Sequence, residues 1–232
     1  MKNLKLAAVC LSCLTMTGCS ALNFSVEGLI NAPKLTSEQS EIHQALIESV
    51  GSNITLKYPK NGEYRSAYVI ANIDDEPTDE AMVFYEYTSN GSEEDGLRVN
   101  ILDKDEDGKW YSVKELAGAG TDIDQVIISP MGSNNQTDVF VGYQNLTNDE
   151  KTMEIYSYTD GDFKRVALDT YSVLEPLDIN NDGYIELITI QRSTNNDTGA
   201  VTAKASMLNM KNNEITRGEN VDMCDNVTSY VS

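Results

Sequence analysis

Hydrophobic positions from residue 54 onward fall in short runs that are rich in Val, Ile, Tyr and Thr, separated by clusters of Asn, Asp, Gly and Ser. Strand-like runs at intervals of about 8–12 residues, with no helical spacing between them, are typical of an all-β sandwich, barrel or propeller. The runs include SAYVIANI, AMVFYEY, LRVNILD, DQVIISP, DVFVGYQN, TMEIYSY, LITIQR and VTAKASMLNM. The pattern therefore predicts an all-β domain over residues 52–232.

One segment before the sheet region has a different period. In LTSEQSEIHQALIESVG the apolar side chains recur at helical spacing along one face, behind a possible capping box and ahead of a glycine that can end a helix. We predict one helix over about Ser37 to Val50, within a segment of residues 36–51. The only histidine, His43, falls off the main apolar stripe, and we expect it to be solvated.

The first twenty residues, MKNLKLAAVCLSCLTMTGCS, combine two lysines, a short apolar run and then small residues. This order predicts a secretory signal peptide over residues 1–18, which is too short for a permanent membrane helix. Its end, Met16 to Cys19, resembles the bacterial lipobox, in which the cysteine becomes the lipid-bearing first residue. We expect a lipid on Cys19, a tether over residues 19–35 and an extracytoplasmic location on the bacterial cell membrane. The alternative is a plain signal peptide cut near an Ala-x-Ala site.

Charge and cysteine content narrow the choice of partners. The chain has 37 acidic and 17 basic residues and a formal net charge of -20, a field that repels nucleic acid and attracts cations. We therefore exclude DNA or RNA as a partner. If the signal peptide is removed and Cys19 carries lipid, Cys224 alone remains for the folded part, so an intrachain disulfide framework is not available.

The stretch DINNDGYIEL is the first candidate for chemistry. Its oxygen-bearing side chains alternate at Asp178, Asn180 and Asp182, and are followed by Gly183 and then Glu186. Calcium prefers six to eight oxygen ligands, and alternating side chains on a tight loop with a glycine at the bend can bring several oxygens to one point. The alternative is a turn in which the Asp and Asn side chains accept from backbone N–H groups without an ion.

The acidic motif repeats along the chain. NIDDEPTDEAMVFYEY aligns with DINNDGYIELITIQR, with Pro77 in the place of Gly183, and an apolar strand follows both motifs. In the stretch MGSNNQTDVFVGYQN between them, Asp138 keeps the last acidic position. The first copy is the second and weaker candidate for calcium, with Asn72, Asp74, Glu76 and Glu80 as its oxygen-bearing residues.

A further acidic stretch, DKDEDGKW, serves as an internal control. It follows the second strand of the first repeat, where Gly108-Lys109-Trp110 aligns with Gly161-Asp162-Phe163 of the second repeat. A glycine followed by a polar and then an aromatic residue at this place favours a hairpin turn. The ninth position of the stretch is Tyr111, which offers no carboxylate, so we interpret this stretch as a turn.

A four-strand unit of about 50 residues with the motif D-x-N-x-D-G-x-x-E resembles the FG-GAP or VCBS-type repeats of β-propellers, as in the head of the integrin α subunit. The resemblance covers roughly residue 64 to the C-terminus, and with the tether and helix it extends to propeller-like lipoproteins of Gram-positive bacteria of the clostridial kind. It implies about three four-stranded blades of a partial propeller. It also implies calcium in the loop, held by Asp178, Asn180, Asp182, the Tyr184 carbonyl and Glu186. Because closed propellers have about 4–8 blades, we expect either further blades in a longer chain or an open array.

Motifs for catalysis are missing from the sequence. It contains no G-x-S-x-G elbow, no H-E-x-x-H and no phosphate loop. The leading hypothesis is a cell-surface lipoprotein whose calcium-stabilised domain binds an extracellular protein or glycan. The alternatives are a structural or assembly component of the cell envelope without a soluble ligand, and an extracellular hydrolase that uses paired carboxylates.

Overall fold

The computed structural model describes residues 35–88, 96–131, 136–145, 150–195, 197–211 and 214–223. The predicted signal peptide, Cys19, nearly all of the predicted tether and Cys224 lie outside these residues. The described elements are α1 (Ser37–Val50), β1 (Ile54–Leu56), β2 (Tyr68–Ala71), β3 (Glu80–Tyr87), β4 (Leu97–Lys104), β5 (Trp110–Ala117), β6 (Asp122–Ser129), β7 (Asp138–Gln144), β8 (Lys151–Thr159), β9 (Asp162–Tyr171), β10 (Val173–Leu177), β11 (Glu186–Thr194), β12 (Val201–Lys211), β13 (Glu214–Arg217) and β14 (Val221–Asp222). The predicted helix is present.

The strands form three antiparallel sheets, and each sheet follows an up-and-down path of four strand positions. In sheet 1, β1 and β2 both pair with β3, which is followed by β4 and β5. Sheet 2 is β6 to β9 in order, and sheet 3 is β10 to β12 with β13 and β14 both paired to β12. None of the described sheets closes into a barrel. The predicted all-β fold of four-stranded, blade-like repeats after one helix is confirmed.

The acidic loops connect the first and second strands of each sheet. The residues that close the three loops pair as Ala71 with Glu80, Ser129 with Asp138 and Leu177 with Glu186. The three loops therefore have the same length, and the motif acid is the first residue of the second strand each time. Our sequence interpretation began each repeat at the motif; the pairing begins it one strand earlier.

Apolar packing covers both faces of the central strands of sheets 1 and 2, which are β3, β4, β7 and β8. Side chains alternate between faces along a strand, so in β3 Val83 packs with Ile42 and Leu46 of α1, while Phe84 packs toward sheet 2. A second apolar cluster joins sheet 2 to sheet 3 and includes Phe140 and Leu187. Burying one such side chain contributes about 1.5–3 kcal/mol, so these clusters hold the sheets together.

Two hairpins were predicted from glycine-containing turns, and both are present. Asp160 and Gly161 join β8 to β9 with φ angles of 55° and 77°, the left-handed pair that a two-residue hairpin loop requires. The DKDEDG stretch joins β4 to β5, and Gly108 has a φ of 76°. The interpretation of this stretch as a hairpin turn is therefore confirmed.

His43 differs from its expected solvated state. Its ring is half-buried, and Nδ1 lies 2.8 Å from the hydroxyl of Tyr68 in a hydrogen bond between α1 and β2. Burial raises the pKa of the Tyr68 hydroxyl to about 12, so this hydroxyl stays protonated and the pair acts as a structural contact. The helix packs close enough to the sheet to cover a position next to its apolar stripe, which periodicity alone did not indicate.

Candidate ion-binding loops and a polar cleft

The three loops share one hydrogen bond that the sequence alignment did not reveal. The motif acid accepts a hydrogen bond from the backbone N–H of the residue seven positions before it. The three pairs are Ile73 N to Glu80 Oε2 at 2.8 Å, Met131 N to Asp138 Oδ2 at 3.0 Å and Ile179 N to Glu186 Oε2 at 3.0 Å. This contact, which we call the loop staple, supports the predicted repeat register residue by residue.

In the third loop, the remaining side-chain oxygens bond to the loop backbone. Asp178 accepts from the N–H of Asp182 at 3.1 Å and from that of Gly183 at 3.0 Å. Asn180 Oδ1 accepts from Asp182 N at 2.9 Å, and Asp182 Oδ1 accepts from Tyr184 N at 2.9 Å. These bonds are the contacts expected of an Asx-rich turn, so the turn half of the sequence interpretation is confirmed.

The same loop draws the predicted ligands together at the amide of Asn180. Its Nδ2 group donates to Asp182 Oδ2 at 3.0 Å and lies 3.4 Å from Glu186 Oε1. Asn181 and Gly183 both have left-handed backbones, with φ of 58° and 89°, which curl the loop around this amide. A group with partial positive charge thus lies between two carboxylates in a loop that is open to solvent.

The first loop uses its predicted ligands differently. Asn72 donates Nδ2 to the carbonyls of Glu76 at 2.5 Å and Thr78 at 3.1 Å, so its amide braces the loop from within. Asp74 Oδ1 accepts from Glu76 N at 2.8 Å. The structure therefore does not bring the Asn72 amide group to the motif acid, Glu80, as it does with Asn180 and Glu186 in the third loop.

Glu80 itself is almost completely buried, with 1% of its surface exposed. One carboxylate oxygen accepts the staple bond, whereas Oε1 has no hydrogen-bond partner among the described residues. Burial, with smaller contributions from the negative charges of Asp74 and Asp103, raises the pKa of Glu80 to about 7. The pKa of Asp74 is raised too, by burial and by its acidic neighbours Asp103 and Asp75.

The middle loop keeps the staple without the rest of the motif. Asp138 is 1% exposed, and besides the N–H of Met131 it accepts from the hydroxyl of Ser157 on β8. Hydrogen bonds to a buried carboxylate offset the free energy of removing its charge from water. The acid therefore has a structural role in this loop that does not require an ion.

The described part of the chain lacks two features, a cluster of His, Cys, Asp or Glu side chains arranged as a metal site and a membrane-spanning helix. Across residues 35–223, omitting the short gaps given above, no group of three or more His, Cys, Asp or Glu side chains has the arrangement of a metal site. Over the same residues, no helix is long and apolar enough to cross a membrane. The donor set of the third loop is still three carboxylates, one amide and one carbonyl, which is the chemistry that calcium prefers.

A cleft of about 780 Å³, which the sequence analysis did not predict, lies along the first strands of sheets 2 and 3. It is lined by residues from β6, β10, the end of β7 and the segment before β2, among them Tyr64, Gln125, Gln144 and Glu175. Clefts of about 300–1,000 Å³ with a few polar groups are the usual size for small ligands. The cleft is the second candidate site.

Asp124 on the cleft lining is the functional candidate that sequence reasoning missed. It occupies a bulge in β6, where the pairing with β7 skips it, and it is 2% exposed. Its carboxylate accepts from Lys151 Nζ at 2.7 Å, Asn61 Nδ2 at 2.8 Å and the Tyr171 hydroxyl at 2.7 Å. Burial and the Asp124 charge raise the pKa of Tyr171, so its hydroxyl remains a donor. An acid between Ile123 and the apolar run 126–128 of the same strand was the available signal.

No model of a known protein family matches the chain, and no curated protein matches it at a significant level.

Proposed function

We propose that the chain is a lipid-anchored extracellular binding module in which calcium bound by the third loop stabilises a propeller-like β-sheet domain. The observation that carries the proposal is the position of the Asn180 amide between Asp182 and Glu186, where an NH2 group takes the place suited to a cation. Asp178, Asn180, Asp182 and Glu186 would hold the ion with their side chains, and Tyr184 with its carbonyl. The resemblance of the motif to FG-GAP and VCBS-type repeats points the same way. Bound calcium would supply fixed positive charge that neutralises the loop carboxylates.

The first loop is the weaker site, since Asn72 is engaged by carbonyls and Pro77 stands where the third loop has a glycine. Burial of Glu80 also favours its neutral form near neutral pH, which reduces the negative charge offered to a cation. We therefore propose the third loop, in preference to the first, as the calcium site.

Thermal melting of the full chain, carrying Cys19→Ser so that no lipid is added, tests the ion. Calcium that binds the folded state must raise Tm as the free ion exceeds its dissociation constant, and chelator must reverse the shift. The double variant Asp178→Ala and Asp182→Ala should lose the shift. The matched control is Asp105→Ala with Asp107→Ala in the β4–β5 hairpin, which should keep it. No shift in the parent chain, or an equal shift in the loop variant, rejects the assignment.

The binding role is located at the cleft, where Gln125 and Gln144 offer amide donors and acceptors beside the ring of Tyr64. Side chains of this kind suit a glycan or a polar protein segment. A glycan array and a pull-down with the full chain test this role, with Gln144→Ala and Tyr64→Ala as variants. Binding that disappears in both variants supports the module, whereas no reproducible ligand favours a structural component of the envelope. Turnover that survives chelation and is lost on replacing one carboxylate would instead favour a hydrolase.

The anchor needs its own experiment. A lipid on Cys19 predicts that the chain incorporates labelled palmitate in a bacterial host with lipoprotein processing, and that Cys19→Ala abolishes both the label and the membrane fraction of the protein. Unchanged labelling in Cys19→Ala would reject the lipid site.

A further inference from the structure

The cleft meets the sheets at the edges of two strands rather than at a sheet face. Side chains alternate between the two faces of a strand, so a cavity on one face touches every second residue. The cleft instead touches every residue of β6 from Gln125 to Ile128, and every residue from Ser172 to Pro176, which includes most of β10. Continuous lining of this kind places the backbone of both strands along the cleft.

Both strands lie at the ends of their sheets. In the part of the chain that the structure describes, β6 pairs with β7 alone and β10 pairs with β11 alone. An end strand presents N–H and C=O groups along its open side, and these groups can pair with another extended chain. The cleft therefore runs between two strand edges that carry backbone donors and acceptors.

The chain itself binds to the beginning of the β6 edge through its backbone. Asn61, in the segment before β2, donates its N–H to the carbonyl of Asp124 at 2.7 Å. The preceding residue, Lys60, donates in the same way to the carbonyl of Ile123 at 3.1 Å. The side-chain amide of Asn61 also donates to the Asp124 carboxylate at 2.8 Å, which fixes the segment in place. The open side of β6 is thus able to accept hydrogen bonds from another backbone segment.

The rest of this edge is open. After the end of β6, the N–H of Ile185 donates to the carbonyl of Pro130 at 3.0 Å. Between Asp124 and Pro130, the strand has no backbone hydrogen bond to any described segment other than β7. At about 3.3 Å for each residue, residues 126–129 offer an unpaired edge about 13 Å long. We call these four residues the open edge of β6.

The two strands differ in their suitability for pairing with an added strand. Pro176 has no N–H group and removes one donor from β10. β6 has no proline from Asp122 to Ser129 and keeps its full series of donors. An added strand would therefore pair with β6, with β10 as the opposite wall of the cleft.

Charged side chains in the cleft favour a cationic occupant. Glu63 and Glu175 are exposed and form no ion pair with the described residues. Of the two bases in the lining, Lys151 is held by Asp124 at 2.7 Å, and Arg192 has no acidic partner among the same residues. Two unpaired acids outnumber one unpaired base, in a chain with a net charge of -20. The cleft therefore attracts positively charged side chains.

We propose that the cleft binds an extended cationic peptide segment, which adds as a strand to the open edge of β6. This inference rests on the proposed binding role of the cleft, and it names the partner as a polypeptide rather than a glycan. Backbone pairing with β6 supplies affinity for many sequences, and Glu63 and Glu175 select basic side chains.

Three synthetic peptides with blocked ends test the proposal by calorimetry with the full chain carrying Cys19→Ser. Each has about six residues, slightly more than the open edge can pair. The first alternates Lys and Val and should bind saturably. The second has the same sequence with every backbone nitrogen methylated; it keeps the charges but loses the N–H donors, and should bind at least about tenfold more weakly. The third has Glu in place of Lys and should not bind.

Variants of the cleft acids test the charge selection. Glu63→Gln and Glu175→Gln should each weaken binding of the Lys–Val peptide by about three- to fivefold. The matched control is Glu214→Gln on β13, an exposed acid outside the cleft, which should bind like the parent. All three variants should keep the circular dichroism and Tm of the parent, because the changed side chains are exposed.

Amide hydrogen exchange locates the bound peptide. The Lys–Val peptide should slow exchange within residues 126–129, because added strand pairing protects the N–H groups on the open side. Exchange in the β4–β5 hairpin should not change. Protection that is absent from residues 126–129, or equal affinity for the methylated peptide, overturns strand addition. Equal weakening in Glu214→Gln and the cleft variants overturns the selection of basic side chains.

Failure of this inference can be separated from failure of the proposed function. A chain that binds a glycan through Tyr64 and Gln144 but does not bind the Lys–Val peptide overturns the inference and leaves the binding module intact. Binding of neither a glycan nor the peptide counts against both. Peptide binding with the expected protection supports both.

Discussion

The first and third loops have the same length and the same staple, yet their acids lie in different surroundings. Glu80 is 1% exposed, whereas Glu186 is half-exposed and lies near the Asn180 amide as well as the Ile179 N–H. One oxygen of Glu80 accepts from the N–H of Ile73, and the other has no hydrogen-bond partner in the part of the chain that the structure describes. One geometry thus serves two purposes: a buried acid organises the strands around it, and an exposed acid is available to an ion.

The middle loop extends this comparison. Asp138 is as buried as Glu80, but the Ser157 hydroxyl and the Met131 N–H both donate to its carboxylate. Burial with donors stabilises a charged acid, and burial without them favours its neutral form. The expected effect of removing the acid therefore decreases from the middle loop to the first and then to the third.

Asp138→Ala should have the largest effect. The change leaves the Met131 N–H and the Ser157 hydroxyl without their acceptor in a buried place, and it should lower the free energy of unfolding by about 3–4 kcal/mol. Urea unfolding at neutral pH measures the loss. Asp138→Asn, which keeps one acceptor oxygen, should lose about half as much. A loss below about 1 kcal/mol in Asp138→Ala would contradict the staple's role in stability.

Glu80→Gln should change the pH dependence of stability. The folded-state pKa of Glu80, about 7, lies above its ordinary value of 4.5, so the folded state binds the proton more tightly than the unfolded state. The stabilisation by this proton is complete below pH 4.5 and is lost as pH rises to 7.

Above pH 7, Gln at this position should therefore stabilise the fold by about 2 kcal/mol relative to Glu, because its neutral amide avoids burying a charge near Asp74 and Asp103. Below pH 4.5 the two proteins should be equally stable. Urea unfolding at several pH values in the presence of chelator measures the difference. A constant difference across the range would show that Glu80 does not titrate between these limits.

The fold and the loops differ in how far the sequence could predict them. Alternating apolar residues such as Met82 and Phe84 specify strands and faces, because period two is set by the backbone itself. The alignment of the three repeats was also predictable from sequence, because the loop staple requires an acid seven residues after Ile73, Met131 or Ile179. The sequence did not predict which strand β6 pairs with. The apolar pattern of Asp122–Ser129 suits the last strand of one repeat as well as the first strand of the next.

Burial of polar groups was the part that the sequence did not predict. Glu80 and Glu186 occupy the same motif position, and their surroundings differ because of side chains that are distant in the sequence, such as Asp103 on β4. Asp124 is buried against Tyr171, which is 47 residues away. Gly142 permits that contact: a Cβ there would lie 2.0 Å from the Tyr171 hydroxyl, a constraint visible only in three dimensions.

Glu186→Ala should have a smaller effect than either buried change when calcium is absent. The Ile179 N–H that loses its acceptor lies in an exposed part of the loop and can bond to water, so the expected loss is about 1 kcal/mol. Urea unfolding in chelator measures this value. In calcium the difference between Glu186→Ala and the parent should widen, because the parent alone keeps its full ligand set. An equal difference in both conditions would count against Glu186 as a ligand.

Asp105→Ala should have the smallest effect and sharpens the distinction between an ion loop and a turn. Asp105 Oδ1 accepts from the N–H groups of Asp107 at 3.0 Å and Lys109 at 2.8 Å, in an exposed hairpin. Because water can replace an exposed acceptor, the expected loss is about 0.5 kcal/mol. This loss should be the same in calcium and in chelator, as measured by urea unfolding of the parent and the variant side by side. The hairpin has the same residue types as the third loop but lacks a staple acid. If the loss of stability in Asp105→Ala depended on calcium, acidic composition alone would be enough to bind the ion. The position of the staple acid would then not select the site.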